Sequence, residues 1–410
     1  VKQWKVAVGQ AGGPTAVLNA SLAGFVGAAA PEFQVAAIEC GFQGLCEGRL
    51  QELDQSAVEQ IVQYKNVPGA CLGAGRWPMS AERFARCVEH LRSRDIRLLA
   101  MIGGNGTMRA SRQLELAAAE AGYPLTVVGI PKTVDNDLPD MDHSPGFGSA
   151  AKYVALSVRD IGGDLWAMRN FEQVRIIETM GRNVGWLTAA SAFLKASPED
   201  PPHLVYLPER PFAVDPFLED VRRVVERVGC AVVAVSEGLR GADGKVLTEL
   251  TLRTEQGRQV LGGVGQYLAQ QVREQLGYAS RSELLGMNQR CAANAVSEQD
   301  RKEAEQLGVR AAEWLKSACA AEGSDGSAMM TLRRNHTPGQ PYAYRIDSMP
   351  LGEVADREKP VPNEFLDIPA SGQGSAMPNE KFREWLKPIL GDEIAAYPPL
   401  LKPISAIKNR

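Results

Sequence analysis

Leu98-Leu99-Ala100-Met101-Ile102-Gly103-Gly104-Asn105-Gly106-Thr107 joins an unbroken apolar run to a glycine-rich turn, and a stretch that reads as helix runs on through Arg109 to Ala119. An apolar run this short, stopped by glycine, reads as a buried strand. The alternation extends in both directions. Before it come Trp4 to Val8, the turn Gly9 to Pro14 with a helix beyond it, Val35 to Glu39 and a helix from Ala81 to Arg94; after it come Leu125 to Ile130, a long helix near Ala150 to Ile161, Val174 to Thr179, Leu204 to Leu207 and Cys230 to Val235. Short apolar strands alternating with amphipathic helices build βαβ units and a parallel sheet. Ligands of such sheets bind beyond the carboxyl ends of the strands. The loops Gly9 to Pro14, Gly103 to Gly106 and Pro131 to Pro145 are therefore expected to converge on one site.

The chain has 410 residues, which suits two domains of middling size. Its 45 basic and 49 acidic residues are mixed throughout and leave no basic stripe for a nucleic-acid backbone. Seven scattered cysteines, with no CxxC pair, point to a reducing compartment. Val1-Lys2-Gln3-Trp4 leads straight into a strand, and no later run is long enough to cross a bilayer. The expectation is a cytoplasmic enzyme with neither nucleic-acid nor membrane partner.

Three loops carry the chemistry. Gly12-Gly13-Pro14 lies between a strand and a helix, where backbone can approach an anion closely and helix N–H groups are unpaired; a purely structural tight turn would use the same glycines. Gly103 to Thr107 suits phosphate plus metal, lacks the Lys-Ser/Thr ending of a P-loop, and does not fit a dinucleotide fingerprint. Pro131-Lys132-Thr133-Val134-Asp135-Asn136-Asp137 sets two carboxylates two residues apart, so that one can bind magnesium while the other accepts a proton. The bland alternative for this last segment is an Asx-rich turn with a solvated lysine.

With Met180-Gly181-Arg182-Asn183-Val184-Gly185-Trp186, Pro208-Glu209-Arg210-Pro211-Phe212, and Arg281 followed by Gln289-Arg290, these segments stand in the order and approximate spacing of one family. The chain resembles the phosphofructokinases over nearly its whole length. The resemblance implies two Rossmann-like α/β lobes with mainly parallel sheets and the active site in the cleft between them. Residues 1–146 plus about 289–332 would form the donor lobe and about 147–288 the lobe for fructose 6-phosphate, with 333–410 an extension returning to the second lobe. It implies Asp135 as general base toward the sugar 1-hydroxyl, Thr133 and Arg182 at the moving phosphoryl group, and Met180, Gly181 and Glu209 at the sugar. Arg290 would lie near the sugar phosphate. Arg281 would reach the 6-phosphate from a neighbouring subunit, which makes a homodimer or homotetramer the expected assembly. Gly12, Gly13, Arg76, Gly104, Asn105, Gly106 and Thr107 would face the donor phosphates, with Mg²⁺ held at Asn105 and Asp137.

Two positions that separate the family's branches disagree. Gly106 leaves room for ATP, whereas Lys132 supplies the charge that a departing phosphate of pyrophosphate would want. Leu261 to Gly265 and Gln289 to Ala292 are similar to the short pyrophosphate-dependent group, so the reading leans to pyrophosphate, with ATP as the alternative donor. Asn105 stands where the family usually has aspartate, and Met287 where a His or Tyr often hydrogen-bonds the sugar, which leaves sedoheptulose 7-phosphate open as a second substrate. A lipid or NAD kinase would share the Gly-Gly-polar-Gly-Thr turn but not the other motifs. A non-catalytic sugar-phosphate-binding subunit would keep the fold without the chemistry.

Overall fold

A computed structural model describes residues 4–253, 259–320, 326–335, 341–354, 357–370, 372, 374–391 and 394. Val1-Lys2-Gln3, read above as leading into a strand, and residues 395–410, the end of the expected extension, lie outside the described residues. The chain forms two compact units: Val1–Ala150 with Arg290–Lys359, and Ala151–Gln289 with Pro360–Arg410.

The first unit is built on a seven-stranded sheet. From one edge to the other its strands are Ala343–Pro350, Ala328–Asn335, Thr126–Pro131, Leu98–Gly103, Lys5–Gln10, Gln34–Ile38 and Leu50–Glu52. The five central strands pair in parallel, with Val6 opposite Leu98 and Leu98 opposite Thr126. Their side chains are almost wholly buried, as parallel strands covered on both faces require. The outermost strand at each edge is antiparallel to its neighbour. Helix Leu18–Ala29 packs along Glu298–Ala320, and Ala81–Ser93, capped by Ser80 Oγ accepting from Arg83 N–H, packs on Asn105–Glu120. Phe25, Leu22, Leu91, Leu99 and Ile102 are completely buried among them, each contributing about 1.5–3 kcal/mol.

The pair Ala328–Asn335 and Ala343–Pro350 corrects the expected start of an extension at residue 333. It is a hairpin of the first unit, in register from Ala328↔Pro350 to Asn335↔Ala343, and joins the sheet through Ala328↔Val128 and Met329↔Gly129. The charged pair Arg333-Arg334 sits at the outer end of the strand, where Arg334 forks onto Asp142 and stacks over the Tyr342 ring.

The second unit holds a four-stranded, all-parallel sheet ordered Ser280–Leu284, Val174–Thr179, Ala231–Ser236, Leu204–Tyr206. Helices Val214–Val228 and Val264–Leu276 pack on it around Phe217, Val221, Leu268 and Val272. Residues after Lys359 dock on this unit by two means. Ala376 N–H donates to Val205 O and Val205 N–H to Ser375 Oγ, both at 2.9 Å. Phe365, Phe382 and Trp385 meanwhile gather around Trp186, with ring centroids 5.0–6.4 Å from it.

Candidate functional site

The first unit carries a cationic pocket at the carboxyl ends of its strands. Lys132 ends the Thr126–Pro131 strand, is 4% exposed, and donates from Nζ to Gly13 O at 2.6 Å. Burial pushes its pKa down to about 8, and Arg76 and Arg290 push the same way while Asp135 and Asp137 oppose them. Arg290 Nη1 lies 2.6 Å from the place a Cβ on Gly13 would take, so a side chain at that position would displace the guanidinium. Gly12 N–H donates to Gly75 O, which fixes the loop before Arg76. Two buried amides hold that loop from below. Gln10 Oε1 accepts from Leu72 N–H and Asn19 Oδ1 from Cys71 N–H, while Gln10 Nε2 donates to Asn19 Oδ1.

The helix Asn105–Glu120 starts inside the glycine turn, with Gly104 as its N-cap, so its first N–H groups stand at the same strand ends. A Cβ on Gly106 would meet nothing within 4 Å, whereas one on Gly104 would come to 3.2 Å from Lys132 O. Thr107 is buried. Asn105 Nδ2 donates to Asp137 Oδ2 at 2.9 Å, which leaves Asn105 Oδ1 and Asp137 Oδ1 buried without hydrogen-bond partners. Two orphaned oxygens on neighbouring side chains suit a hard cation. The Thr133 hydroxyl accepts from Asp135 N–H at 3.1 Å and so shapes the turn that presents Asp135.

The second unit supplies a different constellation. Gly181 has φ of 136°, a conformation side chains rarely adopt, and a Cβ there would strike Val184 O at 2.5 Å. Ser236 Oγ donates to Gly181 O and accepts from Gly238 N–H, pinning the turn that bears half-buried Met180 and Arg182. Met180 N–H donates to the buried Gln289 Oε1 at 2.9 Å. Glu209 Oε1 accepts from Gly185 N–H at 2.8 Å and Val361 N–H at 3.1 Å, and Oε2 is buried with no partner. Burial raises the Glu209 pKa, and those N–H bonds pull it back. Arg281 lies on the edge strand, 62% exposed at its side chain, with Nε 3.2 Å from Glu172 Oε2.

Residues 5–315 match the family model described as Phosphofructokinase. The chain belongs to the phosphofructokinase family. It is 40% identical over 387 residues, covering 94% of this chain and 95% of the relative, to the sulfofructose kinase of Alkalicoccus urumqiensis. It is 36% identical over 392 residues, covering 94% and 91%, to the pyrophosphate–fructose 6-phosphate 1-phosphotransferase of Xanthomonas campestris pv. campestris. The crystal structure of pyrophosphate-dependent phosphofructokinase from Marinobacter aquaeolei superimposes with a TM-score of 0.82 at 30% identity, covering 97% of this chain and 93% of that one.

Within this phosphofructokinase fold, Gly12, Gly13, Arg76, Gly104 to Thr107, Lys132, Thr133, Asp135 and Asp137 belong to the first unit, and Met180, Gly181, Arg182, Glu209 and Arg281 to the second. Arg290, expected near the sugar phosphate, stands beside Gly13 in the field of Arg76 and Asp135. It follows Gln289 directly in sequence, yet the two side chains serve different units. Sequence reading missed Gln10, Asn19 and the Val361 N–H. A polar residue closing an apolar strand, as Gln10 does after Val8-Gly9, is the one signal that marks any of them. No helix among the described residues is long and apolar enough to cross a membrane.

Proposed function

We propose that the chain transfers a phosphoryl group to the 1-hydroxyl of fructose 6-phosphate, with magnesium and with pyrophosphate as donor, to give fructose 1,6-bisphosphate. The observation that carries this reading is the grouping of Lys132, Arg76 and Arg290 around the Gly12-Gly13 turn, in the field of Asp135 and Asp137. Phosphoryl transfer passes through a loose transition state with spread negative charge, which fixed cations stabilise without reorganising. Asp135 takes the proton from the attacking hydroxyl, Thr133 and Arg182 hold the transferring group, and Lys132 neutralises the departing phosphate. The orphaned Glu209 oxygen receives sugar hydroxyls, a task for which an acceptor with free lone pairs is suited. Asn105 and Asp137 would hold Mg²⁺, which neutralises phosphate charge when bound. Two oxygens from the chain, Asn105 Oδ1 and Asp137 Oδ1, suit an ion whose other ligands are substrate phosphates and water.

The open space at Gly106 supports ATP as the alternative donor. A second acceptor reading rests on the sulfofructose kinase relative, more identical to this chain than the pyrophosphate-using relative named above. A sulfonate carries less charge than a phosphate monoester, and Met287 gives the sugar site a thioether in place of a hydrogen-bonding ring. The test is a matrix of four assays: pyrophosphate or ATP, each with fructose 6-phosphate or 6-deoxy-6-sulfofructose. Product from pyrophosphate and fructose 6-phosphate supports the reading. Turnover confined to the sulfonated sugar replaces the acceptor, and sugar binding with no turnover makes the chain a binding subunit. The reading also takes the protein to be a cytoplasmic homodimer or homotetramer, and the exposed edge position of Arg281 supports its service to a neighbouring subunit.

A further inference from the structure

Lys359 has no part in the chemistry described above, yet its ammonium is devoted to the loop that carries the base. Nζ donates to Asp142 O at 2.9 Å, Met141 O at 3.0 Å and Asn136 Oδ1 at 3.2 Å, and its own N–H donates to Asp137 O at 3.0 Å. The residue is half-buried and the ammonium is its enclosed end. Burial lowers its pKa to about 8, with Asp142 and Asp137 opposing, so a cation is kept at a place that disfavours it. The loop needs such a clamp. Asn136 and Asp140 have φ of 56° and 55°, left-handed values that a non-glycine residue holds only when its surroundings impose them.

The other end of the same short segment reaches the sugar carboxylate. Val361 N–H is one of the two donors on Glu209 Oε1. Between these contacts lies only Pro360, and Pro362 follows with φ of −62°, so rings that fix φ take slack out of the connection. Lys359 ends the first unit and Pro360 opens the return to the second.

We propose that Lys359 is a positioning residue, and that Lys359-Pro360-Val361 fastens the Asp135 loop and the Glu209 carboxylate to one short stretch of backbone, so that loosening either end disturbs both. The roles of Asp135 and Glu209 in this proposal rest on the function proposed above. Lys359→Met keeps the stem and removes the donors. Its kcat falls roughly 10- to 100-fold, as a small misplacement of reacting groups does, and the KM for fructose 6-phosphate rises several-fold. The Kd for metal-free pyrophosphate, measured by calorimetry without sugar, stays within about twofold, because Gly13, Arg76, Lys132 and Arg290 are untouched and Asp137, which would hold the magnesium, takes no part. Lys359→Gln, which retains a donor, falls between. Hydrogen exchange reads the same effect without turnover: amides 134–142 lose protection in Lys359→Met.

A kcat and sugar KM within twofold of the parent overturn the proposal, whatever happens to Tm. So does a pyrophosphate Kd that weakens as much as kcat falls, since that marks general loosening. Should Lys359→Met fail to fold, Val361→Pro removes the other fastening; its amides 134–142 exchange faster if the segment couples the two ends, and unchanged exchange overturns the proposal. A parent protein inactive with every donor would end the functional reading, while the exchange comparison would still decide this one.

Discussion

Lys132 stands in the field of Arg76 and Arg290 on one side and of Asp135 and Asp137 on the other, and the balance leaves it a cation only below about pH 8. Pyrophosphate binding should therefore weaken roughly tenfold between pH 7 and pH 9.5 as that charge is lost. Lys132→Arg, charged throughout, should show little of this drop in calorimetry at the two pH values. Lys132→Gly should harm turnover with pyrophosphate far more than with ATP; equal harm would show that the lysine does not choose the donor. Asp135→Asn keeps the size of the side chain but cannot take a proton, and kcat should fall roughly 10²- to 10⁴-fold with either donor. Near-normal turnover in the folded variant would end the assignment of Asp135 as base.

Elements are locked to the Asp135 loop by a buried ionic knot rather than by apolar packing alone. His143 lies 2.8 Å from Asp142 Oδ2 through Nδ1 and 2.6 Å from Glu303 Oε2 through Nε2, which ties the loop to the helix Glu298–Ala320. Burial alone would depress the imidazole pKa, but the Glu303 charge and hydrogen bonds to both carboxylates raise it to about 9. A base whose pKa is raised on folding stabilises fully below its unfolded value, near 6.5, and the gain is lost as pH rises through 9. The window corresponds to a stability change on the order of 3 kcal/mol. In urea unfolding at pH 6 and pH 9.5 the parent should lose about this much relative to His143→Gln, because the buried Lys132 and Lys359, with pKa values lowered to about 8, shift stability the other way equally in both proteins. The C-terminal helix Glu380–Leu386 is held differently. Phe382 is 1% exposed against Trp186, Phe365 and Trp385, and Phe382→Ala should cost about 3–5 kcal/mol in the same assay.

At the scale of the whole molecule, the proposed function has a neighbouring subunit complete each site. Arg281 projects from the edge strand Ser280–Leu284. Leu284 and Met287 beyond it are also exposed, at 69% and 58%, an apolar neighbourhood of the kind that interfaces cover. Arg281→Ala and Asp135→Asn should each be nearly inactive, and hybrids formed by dissociating and reassembling the two together should recover activity. No recovery, with hybrids shown by mass spectrometry, would mean that Arg281 serves its own subunit.

By itself the sequence determined the local pieces. Leu98 to Ile102 read as a buried strand, Gly103 to Thr107 as a turn into a helix, and the Lys132–Asp137 loop was marked by its own residue types, because each of these depends on neighbours within a few positions. What tertiary structure decided was every relation across long separations in sequence. The hairpin Ala328–Asn335 with Ala343–Pro350 belongs to the first unit because Ala328 and Met329 find Val128 and Gly129, about two hundred positions earlier. Arg290 falls beside Gly13 and not with Gln289 because a guanidinium fills the space that glycine leaves. Lys359 reads in sequence as one more lysine in a proline-rich stretch. Its meaning appears only where the backbone carbonyls of a strained loop turn toward it, a convergence that no local pattern of residues encodes.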